Sequence, residues 1–228
     1  REKADYLYGT LDTTAVRTSH SYEPSIFLKW KMSRVRNMDI AFAYNTSVPE
    51  LVSTLGYRNT IDPLQIYTGN PLLRNSHSHT TTYNYHRMWL RKQIVLGVSA
   101  SYNKDINPVA TLYSYNSATG VYESKPTNVK GGDTWKVGLN YDQGIGFYFR
   151  LMNKFALETA KSYGFLTIID NNAADAQPEL NKQKRLGIDN NFELSYETEK
   201  LQLSLFDRLE WNRYRYDDTS YNTSPLFN

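Results

Sequence analysis

The sequence predicts an all-β fold: an antiparallel meander of long hairpins forming part of a transmembrane β-barrel, with short turns at one rim and long loops at the other. Three observations predict it. Apolar residues recur at every second position over runs of roughly ten residues; tight turns alternate with long polar connections; and aromatic rings close the apolar runs at both ends.

The first hairpin reads from SYEPSIFLKWKMSRVRNMDIAFAYN. Ile26, Leu28, Trp30 and Met32 share one parity with Met38, Ile40, Phe42 and Tyr44, whereas Phe27, Lys29, Lys31 and Ser33, then Asp39, Ala41, Ala43 and Asn45, hold the other. That is the period of two that a strand requires and that a helix would scatter. In the second hairpin Tyr83, Tyr85 and Trp89 lead through Arg91 and Lys92 into Ile94, Leu96, Val98, Ala100 and Tyr102. In the third, Trp135, Val137, Leu139 and Tyr141 reach a turn expected at 142–145, and Phe147, Phe149, Leu151, Phe155 and Leu157 return. In the fourth, Leu186, Ile188, Phe192, Leu194 and Tyr196 turn near 197–200 into Leu201, Leu203, Leu205, Leu209 and Trp211. The hairpins fall at about 22–45, 77–103, 133–158 and 184–217 of a single partial-barrel domain spanning 1–228. The connections between them, 46–76, 103–133 and 159–185, are long, polar and aromatic.

Composition narrows the partners. The formal net charge of +3 comes from interspersed acids and bases with no basic block, which speaks against nucleic acid. With no cysteine, a disulfide framework and a thiolate metal site are both ruled out. Mean hydropathy is −0.61 and no run approaches the roughly 18 apolar residues of a spanning helix. Spanning strands escape that test, because a barrel wall is apolar only at alternate positions.

Alternation alone also fits a soluble or surface β-sandwich that binds a ligand or partner without transport, whose inner face would be apolar. Sandwich strands usually run about five or six residues with unbiased loops. The longer runs, the unequal rims and the ring positions favour hydrocarbon. Tyr141 and Tyr196 stand before tight turns, and Tyr44, Tyr102, Trp135 and Trp211 stand near the long loops, as interfacial girdles do. Asn153, Asn190, Asp207 and Arg87 break the apolar parity; Arg87 lies near a turn, and Asp207 calls for a bulge, a protonation shift or a different register.

The passage DPLQIYTGNPLLRNSHSHTTTYNYH, at 62–86, carries Asp62, Pro63, Ile66, Gly69, Asn70, Pro71 and Leu73 in a DP-x-x-I-x-x-GNP-x-L order ahead of an alternating strand. In that order, and with the hairpin before it, the chain resembles the outer-membrane barrels of TonB-dependent receptors, especially the Bacteroidetes-type outer membrane protein beta-barrel family. The resemblance implies a place in the Gram-negative cell outer membrane and active uptake of a large nutrient, such as a glycan or siderophore. It also implies outer-membrane lipid around the wall, a TonB complex reached through a plug that is absent from this chain, and a surface lipoprotein as a further partner. Such receptors have about 22 strands; this chain holds about eight to ten and reads as an interior piece of a larger wall.

Few residues point to chemistry. No Ser or Asp can be aligned with a His, so no catalysis is expected. His77 and His79, spaced i and i+2, face one side of a strand mouth without a visible third ligand, so no metal or other cofactor is expected either. The segments 109–115 and 121–125 flank NSATG and predict a hairpin inside the middle loop, whose Tyr113, Tyr115 and Tyr122 are, with His77 and His79, candidate ligand-facing loop residues. Asp62, Pro63, Gly69, Asn70 and Pro71 read equally well as turn geometry.

Overall fold

The computed structural model describes residues 2–8, 11–18, 20–165, 168–170, 180–217 and 226–227. Its wall is a nine-stranded sheet. Strands β3 (Ser25–Ser33), β4 (Arg36–Ser47), β7 (Ser76–Trp89), β8 (Ile94–Ile106), β11 (Asp133–Ile145), β12 (Phe149–Phe165), β14 (Leu180–Glu197), β15 (Gln202–Tyr216) and β16 (Leu226–Phe227) follow one another across it in chain order. The sheet is open, with β3 and β16 at its edges, and every neighbouring pair is antiparallel. A separate hairpin joins β1 (Glu2–Tyr8) to β2 (Leu11–Arg17). The remaining strands, β5 (Arg58–Asp62), β6 (Gln65–Thr68), β9 (Val109–Asn116), β10 (Val121–Asn128) and β13 (Ile168–Asp170), lie in the long connections.

Register confirms the parity. Along one row Leu28 opposes Ile40, then Tyr83, Ala100, Val137, Leu157, Ile188 and Trp211 follow without interruption. A slip of one residue anywhere would turn that strand's apolar set to the other face, so the pattern itself holds the register. The third hairpin differs from expectation. β11 runs on through 142–145, because Asp142 and Arg150 are joined by a two-pronged ion pair (2.9 and 2.6 Å) and Gly144 bonds to Gln93 of the neighbouring turn. The chain reverses at 146–148, where Gly146 takes a φ of +66° that disfavours side-chain-bearing residues.

The rims are unequal, and the strands are tilted. Short turns close β3–β4, β7–β8, β11–β12 and β14–β15, whereas β4, β8 and β12 end, and β7, β11 and β14 begin, at the opposite rim. The hydrogen-bonded row from Arg36 through Arg87, Leu96, Tyr141, Asn153, Phe192 and Asp207 measures the tilt. Counted from each closing pair, it lies 0 residues up at Arg36, two at Leu96 (from Ile94), four at Asn153 (from Phe149) and five at Asp207 (from Gln202). Five residues of drift over six strands, at about 3.3 Å per residue and 4.8 Å per strand, is a tilt of roughly 30°. Membrane barrels tilt their strands by about 35–45°.

Counted in the same way, Tyr44, Tyr102, Trp135 and Trp211 stand 8, 8, 10 and 9 residues above the closing pairs of their hairpins. Four rings on four hairpins therefore share one height. Nine residues up a strand tilted by roughly 30° is about 26 Å, against an apolar band about 25 Å tall in outer-membrane barrels.

Among the described residues, this face is left uncovered. Among the described residues only Val129 is a buried hydrophobic, and no side chain is fully enclosed. Ile26 is 69% exposed and Leu205 62%. Each such side chain gains about 1.5–3 kcal/mol by leaving water, so a continuous wall of them is stable only where hydrocarbon replaces the missing layer. The sandwich reading, which needs a second packed layer, does not describe this sheet.

The other face is largely polar and ion-paired, although Phe27 and Phe206 stand exposed on it. Lys136 and Arg185 both reach Glu158, at 3.7 and 3.4 Å, and Lys29 opposes Asp39. Of the parity breakers, Asn153 donates to Asn190 at 3.0 Å, which satisfies part of both amides, and Arg87 lies 4.3 Å over the Trp89 ring beside a short turn. Asp207 opposes Phe192 in unbroken pairing from Glu197↔Gln202 to Gln183↔Tyr216, so neither a bulge nor an altered register removes it from the apolar face.

Adjacent residues of β15 test the assignment of faces. Leu205→Arg should destabilise the folded protein in lipid vesicles by roughly 2 kcal/mol or more, and Ser204→Arg by under about 0.5 kcal/mol. Urea titration of tryptophan fluorescence measures both.

Candidate functional site

The long connections assemble a second sheet, in the order β13-β9-β10-β6-β5. The hairpin β9–β10 was legible in the middle loop; its partners were not. β6, from the first connection, adds parallel to β10, and β13, from the third, adds parallel to β9. Three segments far apart in sequence thus form one cap beyond the rim, with β9 touching β12 of the wall.

The turn motif holds this cap together. Asp62 accepts a hydrogen bond from the Leu64 amide at 2.9 Å, an Asx turn around Pro63 that reverses β5 into β6. A Cβ on Gly69 would sit 1.8 Å from the Leu55 carbonyl oxygen, so only glycine lets the chain pass there. Asn70 is buried and donates through Nδ2 to the Pro126 carbonyl at 2.8 Å, while its Oδ1 accepts from the Leu72 amide at 3.0 Å. It clasps the first connection to β10. Pro71 packs against Gly56. These five residues therefore build the cap.

The tyrosines form a patch on one face of the cap. Tyr115 opposes Tyr122 with ring centroids 4.5 Å apart, and Tyr113, two residues from Tyr115, shares that face. Tyr113 and Tyr122 are about half exposed, at 50% and 49%. On the same face, Ser124 pairs Tyr67, whose hydroxyl donates to Ser53 at 3.1 Å and whose ring lies 6.2 Å from Tyr57. Sequence reasoning missed Tyr67, because nothing in a single strand of four residues announces a parallel partner 57 residues away. On the reverse face Glu123 accepts from Thr68 at 2.7 Å and pairs Arg58 at 3.5 Å. Rigid, half-exposed phenol rings beside backbone and hydroxyl groups offer stacking and hydrogen bonding to a polar ligand.

His77 and His79 do not join them. Both lie within β7 and not in a loop, on the apolar parity of the wall, where His77 stacks on Tyr44 (5.5 Å) and His79 lies between Phe42 (6.3 Å) and Tyr102 (5.9 Å). Tyr102 continues to Trp135 at 4.3 Å. The imidazoles complete an aromatic girdle across four strands, which is why their i, i+2 spacing looked like a paired site. Among the described residues, no three His, Cys, Asp or Glu side chains gather as a metal site.

Compared with known proteins, residues 4–224 match the model of the outer membrane protein beta-barrel family. No curated protein matches the chain.

Removing the clasp tests the role of Asn70. Asn70→Ala leaves the Pro126 carbonyl and the Leu72 amide unpaired, a loss of about 1–3 kcal/mol confined to the cap. Limited proteolysis should cut 48–75 several-fold faster while the wall strands keep their protection.

Proposed function

We propose, from the premise that the chain belongs to the outer membrane protein beta-barrel family, that it is the wall and ligand-capturing cap of a TonB-dependent receptor that takes up a large polar nutrient. As a member of that family it resides in the Gram-negative outer membrane. The observation that carries the finer reading is convergence: the long connections build one sheet at one rim, and that sheet presents Tyr113, Tyr115 and Tyr122 together. A wall serving only as an anchor has no need of an ordered cap made from three loops.

In this reading the long-loop rim faces outward, as in outer-membrane barrels generally. The tyrosine patch captures a glycan or siderophore-like ligand by ring stacking, and the polar, ion-paired face lines the route inward. Energy enters through a TonB complex acting on a plug that lies outside this chain, and a surface lipoprotein delivers the ligand to the cap. The DP and GNP turns support the assignment because they position the cap. No catalytic or cofactor role is assigned to any residue.

Growth tests this proposal. Cells relying on this receptor for one limiting glycan or chelated metal source should grow several-fold more slowly with Tyr113→Ala and Tyr122→Ala combined, and recover at high nutrient. The receptor level in the outer membrane should be unchanged. Dissipating the proton-motive force should abolish accumulation. Accumulation that persists without that force, or growth indifferent to loss of the whole receptor on every limiting source, would refute it.

A further inference from the structure

The apolar face carries a charge cluster that neither the cap nor the wall explains. On adjacent strands β12, β14 and β15, Lys161 opposes Lys184 and Lys184 opposes Arg215, three cations in one hydrogen-bonded row; Arg213 lies one row below, opposite Leu186. Like charges directly across a sheet repel. Lys161 finds Asp133 at 3.9 Å, but among the described residues no carboxylate pairs with Lys184, Arg213 or Arg215. These three line a groove of about 260 Å³ together with Thr159, Leu186 and Arg185, the last of which pairs Glu158 at 3.4 Å.

Height gives the cluster its meaning. Arg213 and Arg215 are the next outward-parity residues of β15 beyond Trp211, a member of the ring girdle, and Lys184 follows Leu186 and Ile188 on β14 in the same way. The cations therefore sit just past the apolar band at the long-loop rim, where lipid headgroups begin. Leu186, level with Arg213, and Ile188 and Trp211, one row below it, form an apolar track along which an acyl chain can lie. Two guanidinium forks and an ammonium, unpaired and converging on a groove, match the geometry and charge of a phosphate.

We propose that Lys184, Arg213 and Arg215 form a binding site for the phosphorylated headgroup of an outer-leaflet lipid. Its acyl chains descend over Leu186, Ile188 and Trp211. The site rests on the outward placement of the long-loop rim made under Proposed function, but not on transport or on TonB. A phosphate seated in the groove removes the repulsion of the row Lys161, Lys184 and Arg215 and ties β12, β14 and β15 together at the rim.

The test uses the full-length protein in zwitterionic detergent. Titrated with monophosphoryl lipid A, it should show a rise in thermal midpoint and retain the lipid in native mass spectrometry, with affinity falling as salt rises. Lys184→Gln, Arg213→Gln and Arg215→Gln combined should weaken retention by roughly thirty- to a hundredfold. Lys29→Gln, Lys31→Gln and Lys154→Gln, on the polar face, should leave it unchanged. Equal retention by the cluster variant and the wild type would overturn the site, as would an equal response to inorganic pyrophosphate, which lacks acyl chains. Heat-modifiable electrophoretic mobility separates this failure from failure of the barrel reading, because a barrel that folds normally yet ignores the lipid sinks only the site. Labelling of the cap by an impermeant reagent on whole cells checks the rim's orientation independently.

Discussion

Hydrocarbon offers no hydrogen bonds, and the rest of this structure follows from that. Every amide and carbonyl within the apolar band must be satisfied by a neighbouring strand, so the chain crosses as hairpins in continuous ladders and relegates its irregular backbone to the two rims. The same constraint makes alternation compulsory. One parity faces hydrocarbon and the other faces water, which explains a wall with almost no buried side chain and a mean hydropathy that reads as polar. Tilt follows as well: a drift of roughly one residue per strand brings girdle rings from four hairpins to a common level, although in sequence they share only distance from a turn.

That constraint also explains what could be read before the structure. Period-two runs specify strand, face and partner together, so the antiparallel order and the unequal rims were legible from residues such as Leu28, Ile40 and Val137. Even the offending Asp207 was placed on its true face. The turn of the third hairpin was misplaced because Asp142, Gln143 and Gly144 have turn-forming composition, while the ion pair of Asp142 with Arg150 keeps them in the ladder. The cap was legible only in its local half. The hairpin β9–β10 announces itself by proximity, but its parallel additions join residues more than 50 positions apart and leave no period in the sequence. The i, i+2 spacing of His77 and His79 marked a shared side but not its surroundings, because the Tyr44, Phe42 and Tyr102 rings that receive them come from neighbouring strands.

The division of labour across the molecule is clear at the level of side chains. Asn70, Gly69 and Asp62 spend their chemistry on backbone geometry, fixing three loops into one sheet. The tyrosines of that sheet are left half exposed by the scaffold beneath them. On the wall, rings mark the limit of the apolar band, and immediately beyond it the outward parity changes from Leu186, Ile188 and Trp211 to Lys184, Arg213 and Arg215. A polar cap over an ion-paired face suits capture and passage of a polar solute, and a cationic collar above a ring girdle suits a phosphorylated lipid surface.

The alternate apolar residues of the wall meet hydrocarbon. The native chain lacks cysteine, so single cysteines introduced in turn from 133 to 145 along β11 can carry a nitroxide label without background. In lipid vesicles, collision with oxygen, which concentrates in hydrocarbon, should peak at 135, 137, 139 and 141. Collision with a water-soluble nickel chelate should peak at the positions between them. Oxygen access without that two-residue period, or nickel access at 137 and 139 equal to that at 136 and 138, would contradict it.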